Sequence, residues 1–169
     1  SGAPAAVLLG GAAGAFVGPD AIDLPLTFED TRAVGLTLGS GAVTVFDTSV
    51  DLTDVLVRIS AFFRDESCGQ CVPCRIGTVR QHETMVQLQR SGTLAADRLA
   101  VTEDLAAVMA DASICGLGHT AASAITSALR RRQSWGSPGP RLPSPARPTG
   151  WRSRWPRAQR STRRATRPG

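Results

Sequence analysis

Cys68, Cys71 and Cys74 follow one another at three-residue intervals, and the fourth and last cysteine, Cys115, lies 41 residues further on. Any fold that uses the four together must bring residue 115 back onto the 68–74 segment. Three chemistries can require that. Disulfides fit poorly, because three cysteines so close cannot all pair locally and a long-range bridge strands the rest. No leader is visible at the N-terminus to imply an oxidising compartment. Structural zinc usually draws four thiolates from two separated C-x2-C knuckles, not from three plus one. A [4Fe–4S] cubane takes one thiolate per iron corner, which a tight three-cysteine loop closed by a distant fourth can supply. The expectation is a cluster held by Cys68, Cys71, Cys74 and Cys115, with a non-catalytic, zinc-stabilised interaction module as the alternative.

The residues around the thiols suit a ligand loop. Gly69 permits a left-handed turn, and Pro73 is tolerated in the first turn of a helix. That helix is expected to start near Cys74, with its free amides turned toward the bound group. Helical spacing of apolar residues predicts four helices after residue 50. The first runs from a cap at Asp51 or Thr53 to about Arg64, with Leu52, Val55, Leu56, Ile59 and Phe63 inward. The second runs from Pro73 to Gln89, with Ile76, Val79, Met85 and Val86 inward, and stops at Ser91-Gly92. The third covers Asp97 to Ala112, with Leu99, Leu105, Val108 and Met109 inward, and the fourth Thr120 to Arg130. Short connections suggest an antiparallel bundle with both cysteine loops at one end. His82 is read as a solvated mid-helix residue, and His119 as a surface or capping residue. No arrangement for hydrolytic chemistry is present.

Before residue 50 the pattern is different. Ala5-Ala6-Val7-Leu8-Leu9 and Ala42-Val43-Thr44-Val45-Phe46-Asp47 read as strands. The glycines of Gly10-Gly11-Ala12-Ala13-Gly14 match neither a dinucleotide nor a P-loop fingerprint and read as turns. Thr27-Phe28 is expected to open a short helical turn. The fold class is therefore α+β: a β-rich segment over 1–49, a helical iron–sulfur domain over 50–130, and a tail over 131–169.

Charge separates the tail from the rest. Residues 1–129 hold seven arginines against all fourteen acidic residues, whereas residues 130–169 hold twelve arginines and no acid. With few aliphatics and no periodicity, the tail is expected to be disordered. Trp135, Trp151 and Trp155 among arginines could stack on bases, but no nucleic-acid-binding motif accompanies them, and none is expected as partner. A shift of reading frame in GC-rich coding sequence would give such a composition. No apolar stretch is long enough to span a bilayer, so a cytoplasmic protein without direct membrane insertion is expected.

Glu66-Ser67-Cys68-Gly69-Gln70-Cys71-Val72-Pro73-Cys74-Arg75-Ile76-Gly77 resembles the ESCGxCxPCRxG motif of the NADH-binding flavoprotein subunit family of respiratory complex I and of related diaphorase subunits of NAD-linked hydrogenases and formate dehydrogenases. Ser113-Ile114-Cys115-Gly116-Leu117-Gly118 resembles that family's fourth-ligand loop. The glycine-rich start and Leu38-Gly39-Ser40-Gly41-Ala42-Val43 resemble part of its small β-grasp domain. The likeness covers about residues 5–130 and fades after Leu129. It implies one [4Fe–4S] cluster on Cys68, Cys71, Cys74 and Cys115, accepting electrons from FMN and passing them to partner clusters. The implied partners are a thioredoxin-like [2Fe–2S] subunit and further iron–sulfur subunits, through which the chain would lie peripheral to the cytoplasmic membrane. The family's FMN and NADH domain has no counterpart in these residues, so a truncated, inactive remnant is a further alternative.

Overall fold

The computed structural model describes residues 4–18, 21 and 23–132, so the expectations for the arginine-rich tail beyond 132 lie outside the described residues. The described residues combine a three-stranded sheet with six α-helices. β1 (Pro4–Leu9) is central, with β2 (Ala15–Val17) and β3 (Val43–Asp47) antiparallel on its two sides. Leu8 stands opposite both Phe16 and Thr44, and Val7 opposite both Val17 and Val45.

The unbroken apolar run of β1 follows from its position. Side chains alternate across a strand, and here both faces are covered. Ala6 and Leu8 join Phe16 in the main core against the helices, while Val7, Leu9 and Val17 form a second cluster closed by Ala21, Leu24 and Leu36. Phe16 and Phe46 stack with ring centroids 5.8 Å apart. β3 lies outermost, with Val43 and Val45 exposed.

α1 (Phe28–Ala33) is the expected helical turn, capped by Thr27, whose hydroxyl accepts from the Asp30 amide at 3.0 Å. α2 (Leu52–Glu66) is capped by Asp51, which accepts from the Thr53 amide at 2.8 Å, and buries Leu56, Ile59 and Phe63. α3 (Val72–Ser91) ends at Gly92 with φ +74°, a left-handed cap that glycine adopts without strain. α4 (Ala96–Ala112) follows. The predicted fourth helix is α6 (Ser123–Arg131), which starts three residues later than expected, and the residues after Cys115 form a short helix of their own, α5 (Gly116–Thr120), separated from α6 by a turn at Ala121-Ala122. The two alanines between them are buried in the core.

Three residues predicted to face inward are exposed: Ile76, Val79 and Val108. The buried stripe of α3 is instead Cys74, Gly77, Thr78, Gln81, Thr84, Met85 and Leu88. Its spacing is helical, but most of its members are not aliphatic, so hydrophobic periodicity points to the wrong face. The polar members are satisfied locally. Thr78 and Thr84 donate to the carbonyls of Cys74 and Arg80, at 2.8 and 2.9 Å, and turn their methyls to the core. Gln81 donates to the Ala121 carbonyl at 2.9 Å and ties the α5–α6 turn to α3. Gly77 admits Met109 of α4; a carbon added there would collide with the Met109 sulfur.

His82 is also not the solvated residue expected. It is half-buried, with Nδ1 3.1 Å from the Ser60 hydroxyl. Ser60 donates its own proton to the Val57 carbonyl at 2.9 Å, so the His82 Nδ1–H is the donor. Burial foremost, then the Arg64 guanidinium, pushes this imidazole below its ordinary value, against smaller opposing effects of Asp65, the Val57 carbonyl and Glu83.

α6 is the keystone of packing. Its Ile125 is fully buried between sheet and helices, and its Ser127 hydroxyl accepts from the Phe16 amide at 2.9 Å. Ile125→Ala is expected to cost about 2–5 kcal/mol, read as a lowered urea midpoint. His82, whose folded value lies below the unfolded one, contributes its full stability above about pH 6.5 and loses it as pH falls below that. Urea midpoints taken between about pH 8 and pH 5.5 should fall in the wild type and fall less in His82→Gln.

Candidate metal centre

Two chain segments meet at the start of α3. Cys71 is the N-cap of α3 and Cys115 the N-cap of α5, and neither side chain caps its own helix. The helix starts at Val72, earlier than expected, so Cys74 lies inside its first turn. Pro73 falls in that same turn, where a missing amide proton costs nothing. Gly69, with φ +75°, turns the chain between the first two cysteines.

The cysteines differ in exposure. Cys74 is buried, Cys71 half-buried, and Cys68 and Cys115 exposed. None is in a disulfide. Burial foremost raises the Cys74 thiol above its ordinary value, and the charges of Cys71, Cys115 and Cys68 raise it further, while the Ser67 hydroxyl opposes them. The three other cysteines thus lie within electrostatic reach of Cys74. Among the described residues, no three His, Cys, Asp or Glu side chains stand close enough to hold a single metal ion.

Cys71 shifts the other way. The Ile114 amide, reaching across from the Cys115 loop, is the main cause of its lowered value. The Cys74 amide, the Ser113 hydroxyl and its own amide add to that, against the cost of desolvation. The thiolate form of Cys71 is thus stabilised by N–H groups from both segments.

Small residues and one histidine hold the loops together. His119 Nε2 donates to the Ser113 carbonyl at 2.7 Å, closing the Cys115 loop as a side-chain staple. The Ser67 oxygen lies 3.4 Å from the Cys74 sulfur. Ser113 is 9% exposed, and its hydroxyl oxygen is buried without a hydrogen bond of ordinary geometry. Gly118 is pressed against both: a carbon added there would collide with Ser113 Oγ and lie 3.1 Å from Cys74 Cβ. Arg75 remains exposed and makes only a long contact, 3.4 Å, to the Gly69 carbonyl.

These residues suit a thiolate-bound cluster. The donor set is four thiols, N–H groups from both segments favour the Cys71 thiolate, and a buried hydroxyl beside Cys74 has no hydrogen bond of ordinary geometry. Of the cysteines singled out from spacing, Cys68, Cys71 and Cys115 act electrostatically on Cys74, and the Cys115 loop packs on the start of α3 through Gly118, but no three of the four thiols surround one point. Ser67, Ser113 and Gly118 could not be assigned a role from sequence. Their only signal was that small residues stand beside each ligand candidate.

Residues 54–134 match the family model of the NADH-ubiquinone oxidoreductase-F iron-sulfur binding region. The chain is 32% identical over 132 residues to the F subunit of NADH-quinone oxidoreductase from Rickettsia akari (strain Hartford), covering 76% of this chain and 30% of that protein. It is 34% identical over 130 residues to the HndC subunit of NADP-reducing hydrogenase from Solidesulfovibrio fructosivorans, covering 73% and 25%. The fold is similar to a chain in the crystal structure of NAD+-reducing [NiFe]-hydrogenase in the H2-reduced state, with 28% identity and a TM-score of 0.69 over 79% of this chain and 23% of that one. The chain spans about 30% of the length of the first of these curated relatives.

The contact at Gly118 gives a test that needs no metal. In reduced protein, Gly118→Ala should lower stability by about 1–3 kcal/mol in urea denaturation, because Ser113 and Cys74 must move apart. Gly116→Ala, where nothing lies within 4 Å of the added carbon, should be neutral or slightly stabilising.

Proposed function

Through residues 54–134 the chain belongs to the NADH-ubiquinone oxidoreductase-F iron–sulfur binding family, and from that premise we propose that it is the electron-transfer module of an NADH-dependent oxidoreductase. The observation that carries the reading is the packing of the Cys115 loop on the start of α3, where a carbon added at Gly118 would lie 3.1 Å from Cys74 Cβ, with the other three cysteines acting electrostatically on Cys74. Cys68, Cys71, Cys74 and Cys115 would be the ligands. Bound there, a [4Fe–4S] cluster takes up and releases one electron at a time.

The chain's own residues bind, position and shield. Buried Cys74 anchors the set to the core, and α3 directs its N-terminal amides at the thiolates. The exposed Cys68 and Cys115 leave one side of the site open to a neighbouring redox group. FMN and NADH would be bound by other residues than these; none here is assigned to either. A thioredoxin-like [2Fe–2S] subunit and further iron–sulfur subunits are the proposed partners. Residues 50–130 are read as an antiparallel helical iron–sulfur domain, and residues 1–49 as part of a β-grasp unit. No helix of the described residues is long and apolar enough to cross a membrane. A cytoplasmic place, peripheral to the membrane through partners, goes with this reading.

Anaerobic purification of the full chain with iron and sulfide analysis tests it. About four irons and four sulfides per chain are expected, with an EPR signal on reduction, and Cys71→Ser should lose most of that content. Zinc without sulfide, or a folded chain that takes up neither, would defeat the proposal.

A further inference from the structure

Two serine hydroxyls beside the thiols are left over by the ligand reading. Ser67 Oγ lies 3.4 Å from Cys74 Sγ, and as free groups either atom can be the donor. A ligating cysteine has lost its proton, so its sulfur can only accept. The Ser67 hydroxyl must then donate to Cys74. Ser113 has the complementary problem. Its hydroxyl is buried beside Gly118, close to Cys74, and has no partner of ordinary geometry. A buried hydroxyl without an acceptor is costly, and structures rarely retain one without a reason. Sulfur is the acceptor that a loaded site would bring it.

We propose that the Ser67 and Ser113 hydroxyls set the reduction potential of the site by donating hydrogen bonds to the cysteine sulfurs beside them, Ser67 to that of Cys74. The inference rests on the cluster reading above and deepens it. Reduction adds one electron, hence one negative charge, to the group these sulfurs bind. Donors aimed at the sulfurs stabilise the more negative state and raise the potential. The serines act through the cysteines and touch no reactant, so they are positioning residues. The two hydroxyls come from different ligand loops, one next to Cys68 and one two residues before Cys115. Both loops therefore contribute to one property of the site.

The test is an EPR-monitored redox titration of the full chain, with iron and sulfide content measured on the same samples. The wild type is compared with Ser67→Ala, Ser113→Ala, the double variant and Ser67→Thr. Each alanine variant should keep its iron and sulfide and titrate at a more negative midpoint. The double variant should shift furthest, and Ser67→Thr, which keeps the hydroxyl, should return to the wild-type midpoint. Alanine variants fully loaded at the wild-type midpoint would overturn the proposal. Loss of iron from either, with an unchanged circular dichroism spectrum, would assign that hydroxyl a structural role and overturn its share. If Ser113→Ala fails to fold, the half-buried Ser67 decides the matter through its alanine and threonine forms. A wild-type chain without iron and sulfide would instead defeat the cluster reading on which this rests.

Discussion

Negative charge on the four cysteines works against itself around Cys74, and the helical half carries devices that offset it. Cys74 feels the charges of the other three cysteines and sits where burial already disfavours an anion. The compensation comes from across the site. The Ile114 amide reaches Cys71 from the opposite segment, and the Cys74 amide reaches it from its own helix. Both loops end in a cysteine at a helix N-cap. A serine or aspartate there would satisfy the helix and leave nothing for the site. Cysteine at the cap leaves the amide donors of α3 free for sulfur.

Convergence of the loops depends in turn on how closely α3, α4, α5 and α6 can approach. The contacts that permit it are made by small or self-satisfied side chains. Gly77 receives Met109, Gly118 receives Ser113, and threonines along α3 fold their hydroxyls back onto their own helix. Gln81 spans from α3 to the Ala121 carbonyl, in the turn that separates α5 from α6. The sheet closes the other side, with Ala6, Leu8 and Phe16 in the same core as Ile125 and Met85. The β-rich and helical segments thus share apolar surface as well as sequence adjacency.

These packing devices are also where sequence reasoning stopped. The cysteines were legible because a spacing of three is rare and the set is complete. The strands β1 and β3 and the extents of α2, α3 and α4 were legible, α2 through its Asp51 cap and α3 through its Gly92 stop. The inward face of α3 was not. Ile76 and Val79 are the aliphatic residues, yet the stripe that packs is Cys74, Thr78, Gln81, Met85 and Leu88. Polar residues become core residues only when a partner satisfies them, and the partner of Gln81 is 40 residues away. The same limit hid His82, whose partner Ser60 belongs to another helix. The short helix α5 was hidden as well, because Gly116 and Gly118 read as a loop.

The outermost strand has a bearing on how the chain behaves in company. β3 ends the three-strand order and presents Val43 and Val45 to solvent. Such an edge is a template: its backbone groups and apolar side chains reward whichever strand arrives first, native neighbour or stray copy. The colloidal fate of the chain is then a matter of timing. Met early by its proper neighbour, the edge is capped; left bare at high concentration, it seeds aggregation while the thiol site, tens of residues away, is still intact.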